Sequence, residues 1–179
     1  MGKLALTPMG GRRALPVLAA MVLLLAAVGC ADRSIDREAN AKRLAADEVT
    51  LKPEEARAMI NAYRARRGLK PLRLNGKLAL AAKQHSDDLA EHDQISHKGS
   101  DGSDPWDRVN GTGYKAGLAA ENVGAGQMSL AEVFKDWQES PEHDENLLLP
   151  DATQMGIALA IAPQTRHQTF WTLVLGAPR

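Results

Sequence analysis

Five histidines and one cysteine are the side chains of this 179-residue sequence best suited to bind a cation, move a proton or take a covalent group. His143 and Asn146 stand three residues apart, so a single helical turn brings both to one face. On this stretch alone, Glu142, Asp144 and Glu145 beside Pro141 read as a solvated charged turn. His97 leads from Ile95-Ser96 into a Gly- and Asp-rich loop ending at Gly102, which serves either as a scaffold for functional groups or as an ordinary connection. Glu121 has apolar neighbours in Ala119, Ala120 and Val123, and a carboxylate there must be solvated, paired or ligating. His85 shares a helical face with Leu78, Ala82 and Leu89 and reads as a satisfied core histidine. His92, among Glu91 and Asp93, sits where a charge favours the C-terminal dipole of that helix, and His167 reads as a surface residue at a hairpin tip.

The elements that must position these groups are well marked. Ser129 and Glu132 form a capping-box pair, and Leu130, Val133, Phe134 and Trp137 follow at i, i+3, i+4 and i+7. A helix with one buried stripe is therefore expected, ending before Pro141. An earlier helix starts at Pro53-Glu54-Glu55, buries Ala56, Met59, Ile60 and Tyr63, and stops by Gly68. Asn75 is the expected N-cap of a second helix over residues 76–92. Pro105 opens a short helix with Trp106 and Val109, where Asp107 and Arg108 are available for local pairing, and Gly111, Gly113 and Tyr114 break it. Residues 119–125 read as a short strand or turn entry, and 154–162 with 168–175 as an antiparallel hairpin turned at 163–167.

The N-terminal stretch has a different composition. Lys3, Arg12 and Arg13 precede an apolar run over residues 14–28 that suits a signal peptide better than a bilayer span. Ala27, Val28 and Gly29 lie immediately before Cys30 as in a bacterial lipobox, which predicts residues 1–29 as signal peptide and Cys30 as the lipidated first residue. Residues 30–51 are charged and Ala-rich, a tether, leaving 52–179 as the folded domain. Cleavage removes three basic residues and no acid, so the formal charge falls from zero to −3. The basic footprint of a nucleic-acid binder is absent, and without a second cysteine the domain must rely on packing alone.

In this order and spacing, Ser96-His97, Ala120-Glu121-Asn122, Trp137 and His143-x-x-Asn146 resemble the CAP superfamily of cysteine-rich secretory, antigen 5 and pathogenesis-related 1 proteins, closest to its bacterial SCP-like branch. The resemblance spans about residues 53–177 and includes the loop 97–102, Asp107-Arg108, Gly113-Tyr114 and Phe170-Trp171-Thr172. It implies an α+β fold, a three-layer α-β-α sandwich around a small antiparallel sheet, and a cleft where His97, His143 and Glu121 converge. Many eukaryotic relatives carry a second acid where this chain has Ser140; Glu139 is adjacent but points about 100° away along a helix. Glu142 replaces a glycine common in bacterial relatives. Ser140, Glu139, Asn122 and Asn146 are thus further cleft candidates.

Two imidazoles and a carboxylate can bind Zn²⁺ or another divalent cation and leave a position for water. The resemblance points to a membrane-tethered envelope module, extracytoplasmic and held by lipidated Cys30, that binds a lipid, another hydrophobic ligand or a partner in a metal-responsive cleft. The competing readings are a metal-dependent hydrolase using His97, Glu121 and His143, and a structural protein whose polar cluster locks loops together. No H-E-x-x-H helix, G-x-S-x-G elbow or cysteine within the domain is present to favour the enzyme.

Overall fold

Helix-compatible and strand-compatible stretches alternate from Pro53 onward, and the computed structural model, which describes residues 49–179, folds them into a sheet covered by helices on both faces. The expected signal peptide, Cys30 and all but the end of the expected tether lie outside the described residues. Helix α1, Pro53–Ala65, opens with proline and two glutamates, and Gly68 follows in the left-handed region at φ 72°. After the two-residue strand β1, Arg73–Leu74, helix α2 runs Gly76–His92. Its cap is the one expected, since the Asn75 side chain accepts from the amides of Lys77 and Leu78. Helix α3, Pro105–Gly111, carries a full capping box between Asp104 and Asp107. Strand β2, Ala116–Ala125, is followed by α4, Leu130–Glu139, and α5, Pro141–Leu147. Strands β3, Gln154–Ala162, and β4, Gln168–Pro178, close the chain as the antiparallel hairpin its alternation predicts.

The strand order is β1-β3-β4-β2, with β2 at one edge. The expected small antiparallel sheet is in fact mixed, because β1 pairs in parallel with β3 at Arg73–Gln154 and Leu74–Met155. Two residues give too little alternation to announce a strand. In β4, Trp171, Leu173 and Leu175 belong to a core with α1, α4 and α5, whereas Phe170 and Val174 face the other way, toward α2 and α3. This period of two is what separates the layers. Around Tyr63, the Phe134 ring meets edge to face at 5.8 Å, fixing α1 against α4.

Arg64 is a core member that an apolar stripe does not anticipate. It is fully buried and donates to the carbonyls of Lys70, Leu147, Leu149 and Ala152, satisfying the chain as it leaves α5.

Candidate functional site

Trp137 fastens α4 to the edge strand, its indole N–H donating to the Val123 carbonyl at 2.9 Å. Pro141 then breaks the helix at Ser140, whose φ of −96° and ψ of 117° are extended. The charged stretch that reads as a solvated turn instead starts a new helix, because Pro141 supplies an N1 residue and Glu142 and Asp144 sit in the first turn. On α5 the His143-x-x-Asn146 spacing acts as a clip. Asn146 donates to the Glu121 carbonyl at 3.2 Å and to Asn122 Oδ1 at 2.9 Å, while Asn122 donates to the His143 carbonyl at 3.0 Å. Asp144, on the same helix, accepts from the Tyr63 hydroxyl at 2.6 Å. Asn122 and Asn146 thus hold α5 against β2 through their amides.

His97 reaches the site from the opposite layer. Its peptide neighbourhood is held twice: His85 Nε2 lies 2.7 Å from the Ser96 carbonyl, and Arg108 Nη2 donates to the His97 carbonyl at 2.9 Å. Alternation along β2 sends Glu121 toward α2 and α3 and Asn122 toward α5. Glu121 is buried, accepting from Arg108 Nη2 at 3.0 and 2.8 Å, and its Oε1 stands 3.0 Å from His97 Nδ1. A carboxylate only accepts, so Nδ1 carries a proton, and in the neutral ring His97 Nε2 presents its lone pair. The His97 ring is half exposed and its centroid is 6.5 Å from that of His143. His143 Nδ1 contacts Ser140 Oγ at 2.9 Å. Ser140 Oγ is thus engaged with the imidazole, and it makes no side-chain cap for α5.

Burial is the main cause that pushes the His143 pKa down; neighbouring His97 adds to it and Glu142 opposes it. Burial likewise lowers fully buried His85, against the pull of Glu121 at 3.5 Å. His85 is thus a core residue as expected, with Nε2 satisfied and Nδ1 unpartnered. His92 bonds the Asp88 carbonyl at its helix end, which raises its pKa. His167 is half-buried against Phe170 rather than free at the surface.

The structure brings His97, Glu121, His143, Ser140, Asn122 and Asn146 to one edge of the sheet. Glu139 is not among them: helix α4 continues through it, and it lies exposed, 3.6 Å from Lys135. Arg108 is the member that sequence reasoning passes over. It keeps the expected local pairing, donating to the Ser103 carbonyl at 2.9 Å, and adds a bond to Glu121 from another element, for which only its place in the Asp107-Arg108 motif gives a signal.

A divalent cation fits two of the side chains directly. His97 and His143 each have one ring nitrogen engaged and the other open, whereas the Glu121 oxygens are taken by Arg108 and His97. Among the described residues no group of three or more histidine, cysteine or acidic side chains is arranged as a metal cage.

A pair of imidazoles at the sheet edge, inside a three-layer α-β-α sandwich, defines the class of domain. The description of the cysteine-rich secretory protein (CAP) family matches residues 57–175, well over half the chain, and the chain belongs to that family. The uncharacterized protein YkwD of Bacillus subtilis strain 168 is 30% identical over 112 residues, covering 63% of this chain and 44% of that protein. The chain thus spans less than half the length of that relative. An outer surface protein of Borrelia burgdorferi superposes with a TM-score of 0.64 at 23% identity, covering 70% of this chain and 92% of that one. An extracellular SCP-domain protein of Bacillus anthracis strain Ames gives 0.61 at 23% identity, over 69% of this chain and 39% of that one. These two likenesses bear on the fold.

Proposed function

We propose that this protein is an extracytoplasmic, membrane-tethered CAP module of the bacterial envelope that binds a ligand or partner at a cleft where His97 and His143 hold a divalent cation such as Zn²⁺. The observation that carries this reading is the pair of oriented rings, 6.5 Å apart, with Glu121 fixing one and Ser140 touching the other. Outer partners of this kind set the tautomer and direction of metal-binding histidines. A bound cation would supply positive charge for an anionic or polar group of the ligand. Glu121 serves as the orienting partner of His97; its engagement by Arg108 leaves it poorly placed to act as a base on water, which favours binding over hydrolysis. Lipid or another hydrophobic molecule is the ligand class that the family resemblance suggests.

The test is calorimetric titration of Zn²⁺ into the protein beside the His97→Ala/His143→Ala double variant. Saturable one-site binding in wild type alone supports the reading. Equal binding to both, or to neither, removes the metal from it and leaves a metal-independent binding domain.

A further inference from the structure

The two edges of the sheet are finished differently. On β2 the outward carbonyls are taken: Val123 accepts from the Trp137 indole at 2.9 Å and Glu121 from Asn146 at 3.2 Å, so α4 and α5 cover that edge. On β3 the cover stops early. Strand β1 pairs only with Gln154 and Met155, and the Met155 carbonyl accepts from the Asn75 amide. Backbone groups two residues apart in a strand face the same way, so Ile157, Leu159 and Ile161 turn their N–H and C=O groups outward. Among the described residues no strand pairs with β3 on that side beyond Met155.

An unpaired strand usually carries a device against edge-to-edge contact, such as a charge, a proline or a bulge. From Gly156 to Ala162, β3 has none of these: the stretch is free of charge and proline, and its pairing with β4 runs without a register shift. Ile161 on it is 47% exposed.

Helix α2 supplies the charge beside this edge, which Ala79 and Lys83 border. Lys83 and Asp87, both exposed, pair at 2.5 Å one turn apart. The helix runs alongside β3 in the same direction, since Ala79 lies against Gly156 and Leu89 clusters with Ala160 and Ala162. A helix rises about 1.5 Å per residue and a strand about 3.3 Å, so six residues on from Ala79 and three on from Gly156 both cover roughly 9–10 Å. Leu159 is therefore level with the midpoint between Lys83 and Asp87. A two-fold axis at Leu159, normal to the sheet, sets β3 antiparallel to its own copy, with Ile157 opposite Ile161, and lays two α2 helices side by side in opposite directions. Lys83 of each copy then stands level with Asp87 of the other. Such a patch is complementary to itself in charge and in apolar surface, as a two-fold contact requires.

We infer that this edge is where two copies of the chain associate, β3 joining β3 in one continuous sheet while Lys83 and Asp87 pair across the axis. The contact lies on the opposite edge of the sheet from His97 and His143 and goes beyond the proposed function, needing no cation there.

The experiment is sedimentation equilibrium of the full chain in a density-matched detergent. Wild type should show a monomer–dimer equilibrium. Ile161→Lys puts a charge on the edge at an exposed position and should abolish the dimer. Lys83→Glu and Asp87→Lys each set like charges across the axis and should weaken the dimer roughly tenfold or more. An equimolar mixture of those two variants brings opposite charges together again and should recover wild-type affinity. That recovery separates a contact between copies from the ion pair inside one helix, which mixing cannot repair. A monomer at every concentration overturns the inference and leaves the edge open, or covered by the chain's own tether or by a different protein. A dimer that Ile161→Lys leaves intact overturns it as well, as does a mixture that associates no more tightly than either variant alone.

Discussion

At the residue scale the site depends on one buried ion pair. Glu121 compensates Arg108, orients His97 and lies beside His85, with its own side chain 2% exposed. Removing one partner of such a pair strands the other charge, at about 3–5 kcal/mol. Glu121→Gln should therefore lower the free energy of urea unfolding by roughly that amount, and a variant as stable as wild type would contradict the pairing. Buried His85 and half-buried His143 set the pH response. Burial holds the folded His85 and His143 below their ordinary value of 6.5. Between the folded value and 6.5 the unfolded chain binds more protons, so stability rises with pH. It is complete above 6.5, falls as the pH drops from 6.5 toward the folded values, and levels off below them. His92, raised and exposed, acts with the opposite sign, while Asp88 and Asp101, lowered from 3.8, matter only in stronger acid. The urea midpoint should decrease from pH 7.5 to pH 5.5, and His85→Gln should flatten that decrease; an unchanged slope would assign it elsewhere. His97, Glu121 and His143 were legible because their motifs occur in a fixed order. Arg108 was not, because its partner lies thirteen residues away on another element, a distance no local periodicity encodes.

At the element scale the legible parts were those with strong local chemistry. Asn75 caps α2, Ser129 accepts from the Glu132 amide to start α4, and alternating apolar residues pair β3 with β4. Glu132 itself reaches back to the Met128 amide, one residue beyond the expected box. Helix α5 was less legible because its charges suit a turn equally well, and contacts made by Asn146 and Asp144 with distant residues settle its position. The packing of α2 on the sheet rests on an absence of bulk. A Cβ at Gly156 would lie 2.0 Å from the Ala79 amide nitrogen and 2.2 Å from the Leu78 carbonyl carbon. Both are backbone atoms, so no rotamer change relieves the clash. Gly156→Ala should force α2 away from β3 and destabilise the fold by at least about 1–3 kcal/mol, the ordinary range for overpacking. The check is its thermal melting beside Gly111→Ala, where the added methyl meets nothing and the change should be small.

At the scale of the whole molecule, the proposed function assigns attachment and binding to different parts of the chain. The described domain builds its core from two helical layers and a sheet, and among the described residues no helix is long and apolar enough to cross a membrane. The proposed tether rests on the composition of the N-terminal stretch, where an apolar run of signal-peptide length ends beside the single cysteine, Cys30. A buried acyl chain contributes about 0.8 kcal/mol per methylene, so two or more chains on one cysteine give stable attachment where one gives only marginal binding. The charge that cleavage before Cys30 would leave, −3, provides no polybasic attraction to anionic lipid that could substitute for those chains. Membrane association should therefore depend on one sulfur atom. In cells expressing the protein, Cys30→Ser should move it from the membrane pellet to the soluble fraction and remove the mobility shift of the acylated form, with the melting temperature of the domain unchanged. Continued sedimentation with membranes would mean that the apolar run is retained as the anchor, and the lipidation assignment would fall.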